Sequence, residues 1–413
     1  MTELGEIPKD WSIKTINDLI KENIIIDVMD GNHGEIHPKA SEYVDIGIPF
    51  IMANNLKNGK LDIEGCKFIS YEQAKRLRKG FSVEGDVLLT HKGTLGETAI
   101  VPKLRDEYIM LTPQVTYYRV SNNNVLINRY LKVYFDSKKY QDKLKSFGSQ
   151  STRDYVGITE QRKLSIILPT IEEQEKIASI LSTVDEQIDN VDALIEKNKE
   201  LKKGLMQTLL TKGIGHTKFK KTEIGEIPEE WDVKKLECVF EILDSMRKPI
   251  KASDREKIEG NIPYYGASGV IDWINDYIFD EELILLGEDG ENLNSRNSDL
   301  AFKISGKTWV NNHAHVFRVI NKKECNIDFM VYYLEAKDYS IYIAGSAQPK
   351  ITQAQCRKFL LPLPEKQEQD KIASILLESD KKIEEYENKK QKLEELKKGL
   401  MQQLLTGMIR VTV

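Results

Sequence analysis

Residues 168–211, LPTIEEQEKIASILSTVDEQIDNVDALIEKNKELKKGLMQTLLT, return at residues 363–406 as LPEKQEQDKIASILLESDKKIEEYENKKQKLEELKKGLMQQLLT. The two copies are identical at 24 of 44 ungapped positions, far more than chance allows. A shorter echo precedes each copy, since LGEIPKDW at residues 4–11 returns as IGEIPEEW at residues 224–231. Internal repeats of this kind decide the architecture of a chain. The chain is therefore a tandem of two units, each a variable stretch followed by a nearly constant one.

The constant segments are predicted to be long helices. Apolar side chains recur at alternating spacings of four and three residues, which indicates a coiled coil or a two-helix bundle. Each segment follows a proline, Pro169 or Pro364, and has an acidic first turn, as helix starts commonly do. The predicted seam contains Ile177, Leu181, Val184, Ile188, Leu205, Ile372, Leu376, Ile383, Leu400 and Leu404, and Leu201 and Leu209 extend the stripe.

We expect the two helices to pack antiparallel as a stiff spacer. About forty residues that rise about 1.5 Å each give a length of about 60 Å. Antiparallel packing would relate the two variable stretches by a pseudo-twofold axis and place them at opposite ends of the spacer.

The variable stretches are predicted to be mixed, mostly β, domains. Apolar runs bounded by turn residues indicate strands, and they are GDVLLT (85–90), TAIV (98–101), VTYYRV (115–120), LILLG (283–287) and HVFRV (315–319). Short helices are predicted at Tyr71–Lys79, Asn128–Ser146 and Asp328–Ala344. The fold class is therefore α+β. The predicted domains are residues 1–167, helix 168–212, residues 213–361 with a linker over 213–223, and helix 362–413.

Composition excludes several classes of protein. The chain has 413 residues, 60 Lys and Arg against 65 Asp and Glu, and a net charge of −5. It has no apolar run of the roughly 20 residues that a membrane span needs, and its N-terminus does not resemble a signal peptide. Four widely separated cysteines argue against a disulfide scaffold and most zinc modules. These features predict a cytoplasmic protein that is not bound to a membrane.

The enzyme motifs considered below are incomplete or missing in this sequence. SGKT at 305–308 ends like a phosphate-binding loop, but Ala301 stands where that motif needs glycine. GxGxxG, HExxH, GxSxG and the Asn-Pro-Pro-aromatic tetrapeptide of amino-methyltransferases do not occur. Glu288 and Asp289 lie between glycines, which favours a turn. His313 and His315 could share one strand face, but two ligands do not make a metal site. We therefore predict no catalytic residue and no metal.

Polar turns between the apolar strands suggest contacts with nucleic acid. Asn, Gln, Lys, Arg, Ser and His are the side chains that pair with base edges or phosphates. A protein that binds DNA alone is usually more basic than this chain. The low charge therefore favours a chain that surrounds DNA together with a partner protein. The candidate DNA-binding residues are Asn54, Asn55, Lys57, Lys75, Arg76, Arg78, Lys79, His91, Lys92, Thr94, Ser149, Gln150 and Arg153 in the first stretch, and Tyr265, Ser268, Asn292, Asn294, Arg296, Asn312, His313, Ser346, Gln348 and Lys350 in the second.

Taken together, these features resemble the DNA-specificity subunit of type I restriction–modification systems. The likeness rests on the repeated (L/I)GEIPxxW openers and the repeated LPxxxEQxKIASIL…ELKKGLMQxLLT helices. In the second stretch IPYYGASGVIDWINDYIFD (262–280), LLGEDGENL (285–293) and WVNNHAHVFRV (309–319) look like that family's target-recognition domains. The first stretch is similar mainly through GDVLLTHKGTLGETAIV (85–101).

The resemblance implies a non-catalytic reader of double-stranded DNA. Each target-recognition domain would read one half of a split, asymmetric site, and the helices would set the spacer between the halves. The helices would also hold two modification subunits, which bind S-adenosylmethionine and methylate adenine. Restriction subunits that use ATP and Mg²⁺ would complete the complex, and this chain would bind no cofactor itself.

Two other classes of protein are consistent with parts of the sequence. One is a single-chain methyltransferase or nuclease that carries recognition domains, against which the missing motifs weigh. The other is a coiled-coil adaptor that binds only proteins. Contact of both variable stretches with DNA bases would separate the specificity subunit from the adaptor.

Overall fold

The computed structural model of the chain describes residues 7–148, 155–344 and 349–412. Its fold is mixed α/β, with two tandem domains, one long helix in the middle of the chain and another near the C-terminus. The predicted fold class is confirmed. Within the described residues, no helix combines the length and the apolar character that crossing a membrane requires.

The chain divides into two compact units. Unit 1 comprises Met1–Asn190 and Lys389–Val413, and unit 2 comprises Val191–Asn388. Both ends of the chain therefore belong to unit 1. We call residues 7–168 the first module and residues 219–363 the second module.

The first module consists of short strands and helices, and one long helix follows it. The strands are β1 (Ser12–Thr15), β2 (Ile25–Asp30), β3 (Ile48–Ile51), β4 (Leu56–Lys57), β5 (Lys60–Leu61), β6 (Lys67–Ile69), β7 (Phe81–Ser82), β8 (Val87–Thr90), β9 (Thr98–Ile100), β10 (Ile109–Leu111), β11 (Val115–Val120) and β12 (Ser165–Leu168). The helices are α1 (Ile16–Lys21), α2 (Tyr71–Arg76), α3 (Asn128–Asp136), α4 (Lys138–Gly148), α5 (Ile158–Gln161) and the long α6 (Ile171–Lys212).

The second module repeats this plan and also precedes a long helix. The strands are β13 (Phe219–Thr222), β14 (Gly225–Pro228), β15 (Asp232–Lys235), β16 (Phe240–Ile242), β17 (Glu259–Gly266), β18 (Gly269–Ile274), β19 (Phe279–Asp280), β20 (Leu283–Gly287), β21 (Ala301–Ile304), β22 (Lys307–Val310), β23 (Ala314–Val319) and β24 (Leu360–Leu363). The helices are α7 (Leu236–Val239), α8 (Ala252–Arg255), α9 (Asn292–Ser295), α10 (Ile327–Ala336), α11 (Gln353–Cys356) and the long α12 (Lys366–Leu404).

The two modules share one sheet topology. An antiparallel sheet has the order β2-β11-β8-β9 in the first module and β16-β23-β20-β21 in the second. A mixed sheet has the order β6-β3-β10-β7 or β18-β17-β22-β19, with its two central strands parallel. The pair β1-β12 or β15-β24 joins the start of each module to its end. The variable stretches thus differ in length and sequence but not in strand order.

A central strand of each antiparallel sheet is buried on both faces. In β8, Val87 and Leu89 enter one core while Leu88 enters another. In β20, Ile284 and Leu286 enter one core while Leu283 and Leu285 enter the other. Side chains alternate across a strand, so a continuous apolar run is expected where both faces are covered.

The long helices pack antiparallel within each unit. In unit 1, Asp185 of α6 pairs with Lys397 of α12 at 2.6 Å, and Leu181 shares a core with Leu404. In unit 2, Lys202 pairs with Asp380 at 2.5 Å and Lys199 pairs with Glu387 at 3.1 Å. As the residue numbers rise along α6, the residue numbers of the partners on α12 fall, as antiparallel packing requires.

Most of the predicted seam faces the interior. Leu205 and Leu400 are partly buried and pack against the cores of units 2 and 1 respectively. Leu201 is 57% exposed, so its inclusion in the stripe was wrong. A straight helix of 3.6 residues per turn drifts by about 20° per heptad from a 3.5-residue stripe, which carries such positions to the outer face. The remaining seam residues are buried, with Ile188 only partly so: Ile177, Leu181, Val184, Ile372, Leu376, Ile383 and Leu404.

The repeated motifs bind each other at the start of each long helix. The indole N–H of Trp11, in the first opener, donates to the Glu173 carboxylate at 2.7 Å. That of Trp231, in the second opener, donates to the Glu368 carboxylate at 3.0 Å. Arg410, close to the C-terminus, also donates to Glu173, at 2.6 Å. Each opener is therefore an anchor for the long helix that follows its module.

The next residue of the helix motif is a buried glutamine that holds the loop before α3 or α10. Gln174 accepts the backbone N–H of Ile127 at 3.1 Å and donates to the carbonyl groups of residues 125 and 169. Gln369 accepts the backbone N–H of Asn326 at 2.8 Å and donates to the carbonyl groups of residues 324 and 364. The Glu-Gln pair of LPxxxEQ thus has the same two partners in both units.

Some predicted elements have different limits in the structure. The helix predicted over Asn128–Ser146 breaks at Ser137, which has extended backbone and starts a second helix through its side chain. The helix predicted over Asp328–Ala344 ends at Ala336, because Lys337 is also extended. The predicted linker over 213–223 contains β13, which pairs with β14.

Candidate nucleic-acid interface

A buried polar cluster lies at one end of the antiparallel sheet of the first module. This first polar cluster consists of Asp30, Lys79, His91 and Thr116. Asp30 ends β2 and binds the Lys79 ammonium group, and His91, which follows β8, places Nδ1 2.7 Å from the hydroxyl of Thr116. Burial lowers the pKa of His91 to about 4, so this imidazole is neutral near pH 7.

The first polar cluster also fixes a loop. The backbone N–H of Val156 donates to the carbonyl of His91 at 3.1 Å, and Lys92 forms a β-bridge with Tyr155. Lys92 and Thr94 are exposed in the turn that follows His91. The cluster therefore supports a surface turn and the start of the segment after residues 149–154.

The second module carries a larger cluster at the corresponding end of its sheet. This second polar cluster consists of Asp244, Arg247, Glu288, His315 and Lys350. His315 contacts Asp244 through Nδ1 at 2.6 Å, and its Nε2 lies 2.9 Å from the carbonyl of residue 351. Glu288 pairs with Arg247 at 2.5 Å and with Lys350 at 3.0 Å.

The charge of His315 differs from that of His91. Burial by itself would lower the pKa of His315, but the hydrogen bonds to Asp244 and Cys356, together with the charge of Asp244, outweigh burial and raise the pKa to about 10. An imidazolium donates from both nitrogens, which matches its two acceptor oxygens. Burial would raise the pKa of the Glu288 carboxyl, but the hydrogen bonds from Arg247 and Lys350 lower it. The second polar cluster therefore holds two carboxylates and three cations.

Ligand atoms of Asp244, Glu288 and His315 lie within 4.8 Å of one another, a geometry that could hold a metal ion. Both nitrogens of His315 already contact oxygens, and two basic side chains bind Glu288. These contacts make the group an ion-pair network. Asp244 and Glu288 are distant from His315 in the sequence, and they reach it from segments that follow β16 and β20.

Strand register shows that the two clusters occupy equivalent places. Thr116 faces Leu89 across β11 and β8, as His315 faces Leu286 across β23 and β20. The backbone N–H of residue 156 donates to the carbonyl of His91, as that of residue 351 donates to the carbonyl of Glu288. His91 therefore corresponds to Glu288, and Thr116 to His315.

Exposed polar turns surround the second polar cluster. Asn312 and His313 are exposed just before β23, and His313 contacts Asp289 at 2.9 Å. The turn with Ser268 comes close as well, because a Cβ added to Gly287 would lie 3.0 Å from the carbonyl oxygen of residue 267. These turns and Lys350 form one loop edge, which corresponds to the turn at residues 91–96 in the first module.

Several predicted contact residues lie elsewhere or point inward. The side chains of Asn55 and His91 are buried, so they cannot touch DNA in this conformation. Asn292 bonds to the backbone of Ser298 in both directions at 3.0 Å. Arg296 donates to the backbone carbonyl of Glu335, so fewer of its guanidinium N–H groups remain for a ligand.

Other candidates are exposed, or fall outside the described part of the chain. Lys75, Arg76 and Arg78 are exposed on or just after α2, and Lys79 connects them to the first polar cluster through Asp30. Exposed or partly exposed candidates away from the clusters are Asn54 and Lys57 near the β4–β5 hairpin, Tyr265 in β17 and Asn294 in α9. The candidates outside the described residues are Ser149, Gln150, Arg153, Ser346 and Gln348.

Sequence reasoning missed the acidic residues beneath the loop edges. Asp30 and Asp244 each lie at or just after the end of the first strand of their antiparallel sheet. In both copies the sequence shows an acidic residue at the end of an apolar run. The correspondence of Asp30 with Asp244, however, depends on the shared strand order, which the sequence does not show.

Comparison with known proteins identifies one family. A family model described as the type I restriction modification DNA specificity domain matches residues 8–202 and again residues 228–395. The MjaVIII type I restriction enzyme specificity subunit of Methanocaldococcus jannaschii is 30% identical over 98% of this chain and 94% of its own length. The putative MjaX specificity subunit of the same organism is 29% identical over 99% of this chain and 96% of its own length.

Solved structures share the fold. The S subunit of a type I restriction–modification system from M. genitalium has a TM-score of 0.60 at 15% identity, and the match covers 98% of both chains. A chain from a study of complex assembly and conformational transition in the type I system has a TM-score of 0.57 at 16% identity, covering 98% of this chain and all of its own. At such identities the likeness concerns the fold alone.

Proposed function

The chain belongs to the family of type I restriction–modification DNA-specificity subunits, and on that premise we propose that each module reads one half of a bipartite, asymmetric DNA site. The observation that carries this proposal is the duplicated sheet with chemically different loop edges at equivalent places. A protein that reads two different half-sites needs two copies of one scaffold with different side chains at their loop edges. Bases are distinguished by the hydrogen-bond donors and acceptors that contact them.

The reading residues would be the exposed ones around each cluster. Lys92 and Thr94 in the first module, and Asn312, His313 and Lys350 in the second, can donate to phosphates or base edges. The buried members of the clusters would position these loops. Lys75, Arg76 and Arg78 would contact phosphates and contribute affinity without sequence preference.

The paired helices would set the spacer and dock the partners. A continuous helix is stiff over its length, and α6 has 42 residues, so the separation of the half-sites would follow helix length. Two modification subunits would bind along α6 and α12, supply S-adenosylmethionine and methylate adenine. Restriction subunits would add ATP- and Mg²⁺-dependent cleavage. This chain would itself be non-catalytic and bind no cofactor.

Single-molecule methylome sequencing tests the proposal directly. A host lacking other methyltransferases would express the chain with its modification subunit. We expect one split motif with methyladenine in both halves. The matched control omits this chain and should give no split motif.

Two results would contradict the proposal. A stable complex that methylates no new motif would favour the protein-only adaptor. Methylation by this chain without the modification subunit would mean that it carries a catalytic site.

A further inference from the structure

A cleft of about 390 Å³ opens in unit 1 beside α3 and α6. Val133, Ser182 and Asp185 are among the residues that line it, together with the basic residues Lys60, Arg129 and Lys132. Neither the half-site reading nor the polar clusters use this cleft.

Unit 2 shows what fills the corresponding place there. The two glutamine anchors fix the register, because Gln174 binds the N–H of Ile127 and Gln369 that of Asn326. Six residues further on, Val133 in α3 corresponds to Tyr332 in α10.

Tyr332 is held on the spacer helices of its own unit. Its hydroxyl donates to the carboxylate of Asp380 at 2.5 Å. The Lys202 ammonium group lies 5.3 Å from the ring centroid and pairs with Asp380 at 2.5 Å, so the ring gains a cation–π contact. A tyrosine between α10 and the long helices therefore has an apolar contact and a partner for its hydroxyl, as buried tyrosines usually do.

Unit 1 keeps the acceptor but lacks the ring. By the repeat alignment, Asp185 corresponds to Asp380 and Lys397 to Lys202, and this pair is formed at 2.6 Å. Ser182 stands where the second copy has Leu377. Positions 133 and 182 both line the cleft, and both carry smaller side chains than their counterparts Tyr332 and Leu377.

The rim of the cleft is basic where unit 2 is acidic. Arg129 is exposed at the position that corresponds to Asp328, and the Lys60 side chain is 64% exposed while it pairs with Asp189 at 2.5 Å. The surface pocket of unit 2 has three acidic residues in its lining, Asp328, Asp370 and Glu378, against one basic residue, Lys381. Charge complementarity favours an acidic segment as the occupant in unit 1.

We propose that the cleft of unit 1 is a docking site for a tyrosine side chain, flanked by acidic residues, of the modification subunit. The phenol hydroxyl donates to Asp185 as that of Tyr332 donates to Asp380, and the flanking carboxylates meet Arg129 and Lys60. Tyrosine in a desolvated pocket is a common energetic centre of protein interfaces. The inference rests on the proposed function, because it assumes that a modification subunit binds this chain.

The test is to fill the cleft from within. Val133→Tyr in the full chain reproduces the arrangement of unit 2, so the melting temperature should stay the same or rise. Affinity for the modification subunit at one of its two sites should fall at least tenfold, measured by calorimetry and by sedimentation of the complex. Ser182→Leu, at a partly exposed position, should weaken the same site.

The matched control acts on the other unit. Tyr332→Val removes the ring from unit 2, so the melting temperature should fall while docking at unit 1 keeps its wild-type affinity. Unchanged affinity in both Val133→Tyr and Ser182→Leu would overturn the proposal, and if Val133→Tyr fails to fold, Ser182→Leu decides alone. Failure of the wild-type chain to bind the modification subunit at all would refute the proposed function instead.

Discussion

The first and second modules place an imidazole at the same end of the same sheet, yet the two rings carry different charges. His91 follows β8 and is neutral, whereas His315 lies on the neighbouring strand of its sheet and is positively charged. Taking a charge out of water costs several kcal/mol unless hydrogen bonds and counter-charges compensate. The second polar cluster therefore contains two carboxylates and three cations, while the first has one carboxylate, Asp30, which binds the Lys79 ammonium group and also contacts the His33 imidazole.

The comparison shows that strand order fixes where a polar cluster lies but not what it is made of. Both clusters fasten a loop through a backbone bond to the residue after the central strand, His91 or Glu288. The same mechanical task is thus met by a cluster with a neutral imidazole and by one with a charged imidazole. Such freedom allows the side chains at the loop edge of one module to change without changing the fold.

Exchange of a whole module has the largest expected effect. Replacing residues 232–363 with the equivalent span of another family member keeps β15 paired with β24. We expect one half of the methylated motif to change completely while the other half and the spacer stay the same, as methylome sequencing would show. Alteration of both halves would mean that the modules do not read DNA independently.

Substitution of the equivalent residues Glu288 and His91 should destabilise the two modules by different amounts. Glu288→Ala leaves Arg247 and Lys350 without their shared carboxylate, and breaking a buried ion pair costs about 3–5 kcal/mol. His91→Ala removes one neutral hydrogen bond and should cost about 1–3 kcal/mol. Hydrogen exchange of residues 349–363 and 155–168 would report each module separately, and equal losses would contradict the assigned charges.

The two modules should also respond to pH in opposite directions. The folded-state pKa of His315 is about 10, above the ordinary value of about 6.5, so its stabilisation is complete below pH 6.5 and is lost as the pH rises toward 10. The folded-state pKa of His91 is about 4, so the unfolded chain takes up the proton first and the first module loses stability as the pH falls from 6.5 to 4.

Pulse proteolysis across this pH range, with mass spectrometry to identify the module released, would measure both profiles. The change should be on the order of 3 kcal/mol for the first module and on the order of 5 kcal/mol for the second. His315→Gln and His91→Gln are the matched controls, since each should flatten the profile of its own module alone. Loss of both modules in one pH window would contradict the two charge states.

The smallest expected difference concerns the glutamine anchors. Gln174→Ala and Gln369→Ala each remove three hydrogen bonds of the same kind. Each should destabilise its own unit by about 1–3 kcal/mol, and the two losses should agree within about 0.5 kcal/mol. Urea unfolding followed by hydrogen exchange in each unit would test this, and a loss in one unit only would show that the anchors are not equivalent.

Much of the fold could be predicted from the sequence because it depends on local patterns. The heptad stripe predicted the long helices, and the run at residues 283–287 matches β20 residue for residue. Limits set by single residues were missed, such as the break at Ser137, because an extended backbone at one position is not a periodic signal. Leu201 was misassigned because its exposure depends on how the pattern drifts around the helix.

The candidate site was harder to predict, because its parts come from separate strands. Polar turns are visible in the sequence, and Lys92, Asn312 and His313 are indeed exposed. The network of Asp244 with His315 joins residues 71 positions apart, and no spacing rule connects them. The burial of Asn55 was equally invisible, since asparagine in a polar turn is usually exposed.

The membership of residues 389–412 in unit 1 affects the order in which the two units are completed during synthesis. Chains generally fold from the N-terminus as they emerge, but the first module lacks Leu404, Leu405 and Arg410 until synthesis has passed residue 410. All of unit 2, residues 191–388, is available earlier. The module that is translated first is therefore finished last. A prematurely terminated chain would carry a whole second unit and an open first one, which exposes it to proteases before it can engage a partner.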